Sequence, residues 1–392
     1  MSMKLPSIFG LFCTKTGSEK NKKKAKMDST VSDDSVYHRE GGASQTWHSM
    51  VSDAEGAAMP VVTKARIEAS MFEVSSGAGA WDPRRFKMQK TLQEAIRNHG
   101  RVDLMTFDGN MVAVKRMPTR WVKANPKEFN LKYPTSSEQP WYDMALVREL
   151  NTLGCPYVCD LIGVFRDHEE TFVVSSLCTE GDLFGWCDQE PAPGKEREAL
   201  MPPIVSQMFT AVRWLHELGI AHRDLSLENI LLTKLPSGEY QLKLIDFGMS
   251  TLQRTCRHEV RGKQSYQAPE MHEEDEYDTF LADEFAIGVV LFAMAAQDYP
   301  WTATKRGSCQ LYEYVSMFGL KRFLEKRKLR KGNGEHLIEI FSPALTQTLE
   351  GLLEIQPRSR ATMGESMYRS KAQHRSVWDM QWAKHFPAGA RF

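Results

Sequence analysis

The sequence predicts an α+β fold in two lobes, a small strand-rich one followed by a larger, mainly helical one. Three observations carry this. From about residue 90 to 115 the pattern is strand-like, and Met111-Val112-Ala113-Val114-Lys115 follows an Asp108-Gly109-Asn110 turn signal. After Pro202 and Pro203, apolar Ile204, Met208, Val212 and Leu215 recur at helical spacing up to Gly219. Beyond residue 280 the chain reads as helices and loops. A cleft between two such lobes is a natural place for a ligand.

The elements follow in order. Residues 1–85 are polybasic and Ser-rich and read as a disordered tail. Its short apolar stretch at 5–13, an acylatable Cys13 and the lysines at 15, 20, 22, 23, 24 and 26 suit peripheral membrane contact. A solvated charge run or nuclear-import signal is the blander reading and fits the composition better. A folded domain is expected over 86–375, with an N-lobe at about 86–177 and a C-lobe at about 178–375, then a tail at 376–392. The polar stretch from 116 to about 140, with Pro118, Pro126, Pro134 and Pro140, reads as an inserted loop. An amphipathic helix follows through Met144, Val147, Leu150 and Leu153, then strands near 160–165 and 171–175. Ile230-Leu231-Leu232, a Pro236-Ser237-Gly238 turn and Leu242-Lys243-Leu244-Ile245 form a hairpin.

Composition narrows the function classes. Lys+Arg and Asp+Glu balance at 50 each in 392 residues, so no global field recruits nucleic acid, and none is expected as a partner. Seven cysteines at irregular spacing, without a C-x-x-C pair, read as reduced thiols and point to an intracellular, mainly cytoplasmic setting, with nuclear or membrane-associated placement as alternatives. No apolar run approaches the roughly 18 residues that a spanning helix needs.

The densest chemistry lies between residues 222 and 248. His222-Arg223-Asp224-Leu225-Ser226-Leu227-Glu228-Asn229 is followed by Asp246-Phe247-Gly248. An Asp, an Asn five residues on and a second Asp beside Gly supply a carboxylate to orient a hydroxyl and two oxygen ligands for Mg²⁺. Around them stand, in order, the strand ending in Lys115, Gly181-Asp182-Leu183-Phe184, Gly262-Lys263-Gln264-Ser265-Tyr266-Gln267-Ala268-Pro269-Glu270, Asp283-Glu284-Phe285-Ala286-Ile287-Gly288 and Pro357-Arg358-Ser359-Arg360. Over about residues 90 to 370 this ordered set resembles the eukaryotic protein kinase superfamily, as a divergent Ser/Thr member.

The resemblance implies a bilobal fold, ATP and Mg²⁺ as cofactors, protein substrates and a monomer. It makes Asp224 the catalytic base and Asn229 and Asp246 the metal ligands, with Lys115 on the α- and β-phosphates. Gly100 and Val102 would cover the nucleotide, Ala113 would face the adenine and Leu231 would lie beneath it. Ser175 becomes the gatekeeper, Ser176 and Cys178 line the hinge, and Asp182 lies near the ribose. Lys115 is expected to pair with Asp143 or Glu149, helix length favouring Asp143. Glu270 would pair with Arg360, and Asp283 would brace the catalytic loop. Arg223 would receive a phosphate placed on Thr251, Thr255 or Ser265.

Two departures stand out. Ala95-Ile96-Arg97-Asn98-His99-Gly100-Arg101-Val102 lacks the first two loop glycines, so the nucleotide grip is expected to be weaker unless Arg97 or His99 supplies donors. Ser226 replaces the family's Lys and Lys263 its Thr, so Lys263 is expected to stand in for the missing ammonium and join the catalytic residues. The implied function is an ATP-dependent protein kinase, and Glu228 before Asn229 favours Ser/Thr over Tyr substrates. The alternative is a pseudokinase acting as a nucleotide-responsive scaffold. A small-molecule or lipid kinase is disfavoured by Ala268-Pro269-Glu270 and Arg360.

Overall fold

A computed structural model of the chain describes residues 61–95, 100–330, 334–369 and 374–388. The first lobe is built on a six-stranded sheet of β1 (Gly79–Ala80), β2 (Phe86–Ala95), β3 (Gly100–Phe107), β4 (Asn110–Pro118), β5 (Leu161–Arg166) and β6 (Glu170–Ser176), in the order β1-β5-β6-β4-β3-β2. Only the β1–β5 pair among the described strands of this sheet is parallel. Asp108 and Gly109 close the β3–β4 hairpin with φ of 48° and 90°, which is why an Asp-Gly turn belongs there. Alternation along β4 sends Val112 and Val114 into a core with Phe86, Phe107, Phe172 and Val174, and leaves Ala113 and Lys115 on the other face, toward the cleft.

Between β4 and β5 the chain forms α2 (Thr119–Val122), α3 (Pro126–Lys132) and α4 (Pro140–Thr152). This corrects the expected loop over 116–140. Asn125 caps α3 by accepting from the Glu128 N–H at 3.0 Å, so Pro126 opens a helix, where its missing N–H costs nothing. Pro140 likewise stands at the first turn of α4, which has no side-chain cap.

The second lobe contains α5 (Leu183–Cys187), α6 (Lys195–Leu200), α7 (Pro202–Glu217), the β7 (Ile230–Lys234)–β8 (Tyr240–Leu244) hairpin and the β9 (Thr255–Arg257)–β10 (Glu276–Asp278) pair. Between β9 and β10 lies α8 (Glu270–Glu273), and α9 (Thr279–Ala296) runs through the middle. Shorter helices complete it: α10 (Gln310–Phe318), α11 (Leu320–Lys326), α12 (Leu337–Ile340), α13 (Pro343–Leu352) and α14 (Ser366–Arg369). The expectation of no run long and apolar enough to span a membrane is corrected by α9, which meets both criteria over 18 residues. Every residue of α9 is buried in the lobe, including Asp283 and Glu284, so it is the helix around which the core is built.

Two boundaries also move. The disorder expected up to residue 85 fails from residue 61 onward, because Lys64–Ser76 forms a helix, α1, with Ile67, Ser70 and Val74 buried. Trp81 then stacks between Phe86 and Phe172 at 3.9 and 3.7 Å. At the other end, Val377, Trp378, Met380 and Trp382 of the expected tail are buried in the C-lobe core, and the Trp382 indole donates to Glu198 at 2.9 Å. The tail residues 1–60, with the apolar stretch, Cys13 and the lysine run, lie outside the described residues.

Candidate active site

The hinge between lobes runs from Ser176, whose hydroxyl accepts from the Asp160 N–H at 2.9 Å, to Cys178, whose Sγ lies 3.6 Å from that of Cys159. Ser175 pairs across the sheet with Ala113, so the positions expected to be gatekeeper and adenine-facing are neighbours. Asp182 caps α5 by accepting from the Gly185 N–H at 2.7 Å and bridges to Leu231 of β7. Burial raises the Asp182 carboxyl above its ordinary range. Gly100 and Val102 lie on β3, Val102 directly opposite Lys115. Arg97 and His99 are outside the described residues.

Lys115 is where the lobes meet. Its ammonium stands 3.4 Å from Asp143 of α4 and 3.6 Å from Asp246. Burial pulls the Lys115 pKa down, but the charges of Asp246 and Asp143 outweigh it and hold the ammonium above its usual range. Asp143 also accepts the Phe247 N–H at 2.9 Å, so one carboxylate holds both the Lys and the Asp246-Phe247-Gly248 segment. Burial nonetheless raises the Asp143 carboxyl, as expected of an acid that shares one cation with a second acid. Asp143 is thus the partner of Lys115, as helix length suggested. Glu149 turns away and is bonded by Arg66 of α1.

The catalytic loop is held from several sides. Asp283 accepts the His222 and Arg223 N–H groups at 2.7 and 2.8 Å, and His216 Nε2 lies 3.2 Å from the same carboxylate. Arg223 and Asp246 adopt left-handed φ of 66° and 65°, a conformation that costs a non-glycine residue and aims its side chain at a fixed point. Asp224 is buried, and the Asn229 amide nitrogen donates to its carbonyl at 2.7 Å and to Oδ2 at 3.2 Å. With its nitrogen committed to Asp224, Asn229 offers an oxygen, and Asp246 offers a carboxylate. Both are the hard donors that Mg²⁺ takes.

Lys263 reaches into this loop. Its ammonium donates to Ser226 Oγ at 2.7 Å and to Glu228 at 2.8 Å. The two positions where a cation was lost and gained are therefore in direct contact. The preceding Gly262, at φ 80°, passes so close to the loop that an added Cβ would sit 2.8 Å from the Arg223 carbonyl. Only glycine lets the segment carrying Lys263 come this near.

The Arg223 guanidinium, read as a possible phosphate receiver, donates to Glu259 at 2.9 Å and to the Tyr277 hydroxyl at 3.0 Å, and Arg261 approaches the same Glu259 at 3.3 Å. Burial alone would lower the Arg223 pKa, but its partners leave it raised. Ser265, one of the suggested phosphosites, donates to the Thr302 carbonyl at 3.2 Å. The Thr251 backbone is tied to Ala221 at 2.9 and 3.0 Å. Glu259 had no signal in the sequence, because a single acid in a polar loop fits no pattern until the fold brings an arginine to it.

Below the loop, Arg360 meets Glu270 in a buried bidentate pair, with 2.9 Å between Nη2 and Oε2. Removing one partner of such a pair typically costs about 3–5 kcal/mol. His216, Glu284 and Glu365 bring ligand-type atoms within 4.8 Å of one another. Hydrogen bonds account for this grouping, since His216 Nδ1 lies 2.6 Å from Glu365 and Glu284 accepts from the Met363 N–H at 3.0 Å. Burial works against charge on His216, yet its bonds to Asp283 and Glu365 raise its pKa to about 9, so it is a cation at neutral pH.

Fold and site together describe a two-lobed phosphotransfer scaffold. The protein kinase domain model matches residues 99–371, and the chain belongs to the protein kinase family. It is 25% identical over 289 residues to the mitosis inducer protein kinase cdr1 of Schizosaccharomyces pombe, covering 73% of this chain and 41% of that protein. It is 30% identical over 222 residues to the CBL-interacting serine/threonine-protein kinase 26 of Arabidopsis thaliana (55% of this chain, 46% of that one). To the serine/threonine-protein kinase PRR2 of Saccharomyces cerevisiae it is 28% identical over 207 residues, covering 50% of this chain and 28% of that protein. The chain thus spans less than half the length of each of these relatives.

Proposed function

We propose that the chain is an active Ser/Thr protein kinase that transfers the γ-phosphoryl of MgATP to protein hydroxyls. The observation that carries this is the meeting of Lys115, Asp143 and Asp246 in one contact network, with Phe247 tied to Asp143. Both the Lys–acid pair and the Asp246 placement are needed together for catalysis in this family. The nucleotide would lie along β4 and the hinge, over Ala113 and Leu231, with its metal held by Asn229 and Asp246. Such a metal would supply neutralisation of the negative charge on the phosphates. Asp224, buried and oriented by Asn229, takes the proton of the substrate hydroxyl, and Lys263 faces the charge developing on the phosphoryl oxygens. Similarity to named Ser/Thr kinases supports the substrate class.

The test is MgATP turnover on a peptide library by wild type and by Asp246→Ala. Phosphate incorporation that vanishes in the variant supports the enzyme, while none in either chain leaves the nucleotide-responsive scaffold.

The Glu259–Arg223 contact adds a second expected outcome. Charge-assisted Arg–carboxylate bonds order a loop as Arg–phosphate bonds do, so this kinase is expected to work without loop phosphorylation. Glu259→Ala should lower kcat by about tenfold, the size of a typical switch-to-site coupling. Phosphatase treatment of wild type should leave kcat unchanged. A wild type silenced by phosphatase would overturn this reading.

A further inference from the structure

Residues 61–80 lie before the matched domain, yet they run along the helix that carries Asp143. The path begins in the second lobe, where the Val62 N–H donates to the Leu218 carbonyl at 3.1 Å, just past the end of α7. The Val62 side chain is buried in a cluster that holds Leu215, Leu218 and Ile220 together with Leu146 and Leu150 of α4. Next comes α1, started by Thr63, whose hydroxyl accepts the Arg66 N–H at 3.3 Å. Ile67, Ser70 and Val74 form a buried stripe at the three- and four-residue spacing of one helix face. Val74 belongs to a cluster with Trp141 and Met144 of α4, and Ser70 donates to the Ala145 carbonyl at 3.3 Å. The chain then enters the sheet through β1, with Gly79 opposite Phe165. It therefore connects both lobes along the length of α4.

Charge completes this contact. Asp143 and Glu149 are six residues apart on α4, about 240° around a helix, so the two acids serve different neighbours. Asp143 faces Lys115 and Phe247, while Glu149 is buried and bonded by Arg66. A buried carboxylate without a partner is costly, so Arg66 favours the orientation of α4 that also delivers Asp143 to Lys115. Arg148 adds a bond to Glu73 at 2.7 Å.

We propose that residues 61–80 are an intramolecular clamp on α4, and that Arg66 is a positioning residue for phosphoryl transfer, acting through Glu149 on the placement of Asp143. This rests on the kinase reading for its catalytic consequence but not for the clamp itself. The test uses the full chain with Arg66→Glu, Glu149→Arg and the double exchange, each assayed for peptide phosphorylation and for amide hydrogen exchange over 140–152 and 246–250. Each single change should lower kcat by about 10- to 100-fold, as small misplacements of a catalytic group do, and should deprotect α4 amides. The double exchange should restore both readouts. A merely structural surface pair would give singles with unchanged kcat and α4 protection, and that result overturns the clamp, as does a folded double variant that fails to recover. If wild type shows no turnover, the kinase reading fails, and the exchange data alone decide the clamp, by deprotection in the singles and recovery in the double.

Discussion

Asp224→Asn should cut peptide phosphorylation by about 10²–10⁴-fold, the usual worth of a positioned general base. The change keeps size and shape, and the Asn229 amide can still reach the residue 224 carbonyl it now meets at 2.7 Å. What disappears is the carboxylate charge, and with it a proton acceptor for the substrate hydroxyl. The loss should therefore fall on kcat, with little change in KM for MgATP, because Lys115, Asn229 and Asp246 are untouched. Steady-state kinetics on one good peptide substrate separates the two. A variant retaining half of wild-type kcat would remove Asp224 from the mechanism.

Lys263→Ala should lower kcat by about 10²–10³-fold, the range seen when one preorganised donor to a developing oxyanion is removed. Two effects act in the same direction. The ammonium that now lies 2.7 Å from Ser226 Oγ is lost, and Glu228, its ion-pair partner at 2.8 Å, keeps its negative charge beside the site. The pair itself is partly exposed, so its loss should barely affect stability. A drop in kcat at unchanged melting temperature is the expected signature. Returning the cation to the other position, with Ser226→Lys on the Lys263→Ala background, should recover much of the rate. A kcat within about twofold of wild type in Lys263→Ala would show that this cation contributes less than such a donor is worth.

Much of the site could be read from the chain because its chemistry is local in sequence. Asp224 and Asn229 are five residues apart in one short loop, and alternation along β4 puts Ala113 and Lys115 on one face. The Asp108-Gly109 turn is equally local, since it needs two positive φ values and those residues tolerate them. Prolines misled, because Pro126 and Pro140 open helices as readily as they mark loops; Asn125 caps the first, while the second starts without a side-chain cap. The terminal segments misled for another reason. The buried stripe of α1 includes the polar Ser70 while Phe72 is left exposed, so its apolar pattern is weak, and Trp378 and Trp382 have neighbours only once the C-lobe core exists to receive them.

By itself, then, the sequence specified β4, β5, β6, the β7–β8 hairpin, their turns, α4 and α7, and an inventory of candidate base, metal ligands and nucleotide lysine. Each of these follows from backbone dihedral preferences and side-chain period within a few residues. Tertiary structure alone decided which acid faces Lys115, that Lys263 touches Ser226, that Glu259 occupies Arg223, and that α1 clamps α4. Those are contacts of charged side chains across 28 to 83 residues of chain. Their energy depends on distance and burial, and neither is set until the lobes have packed.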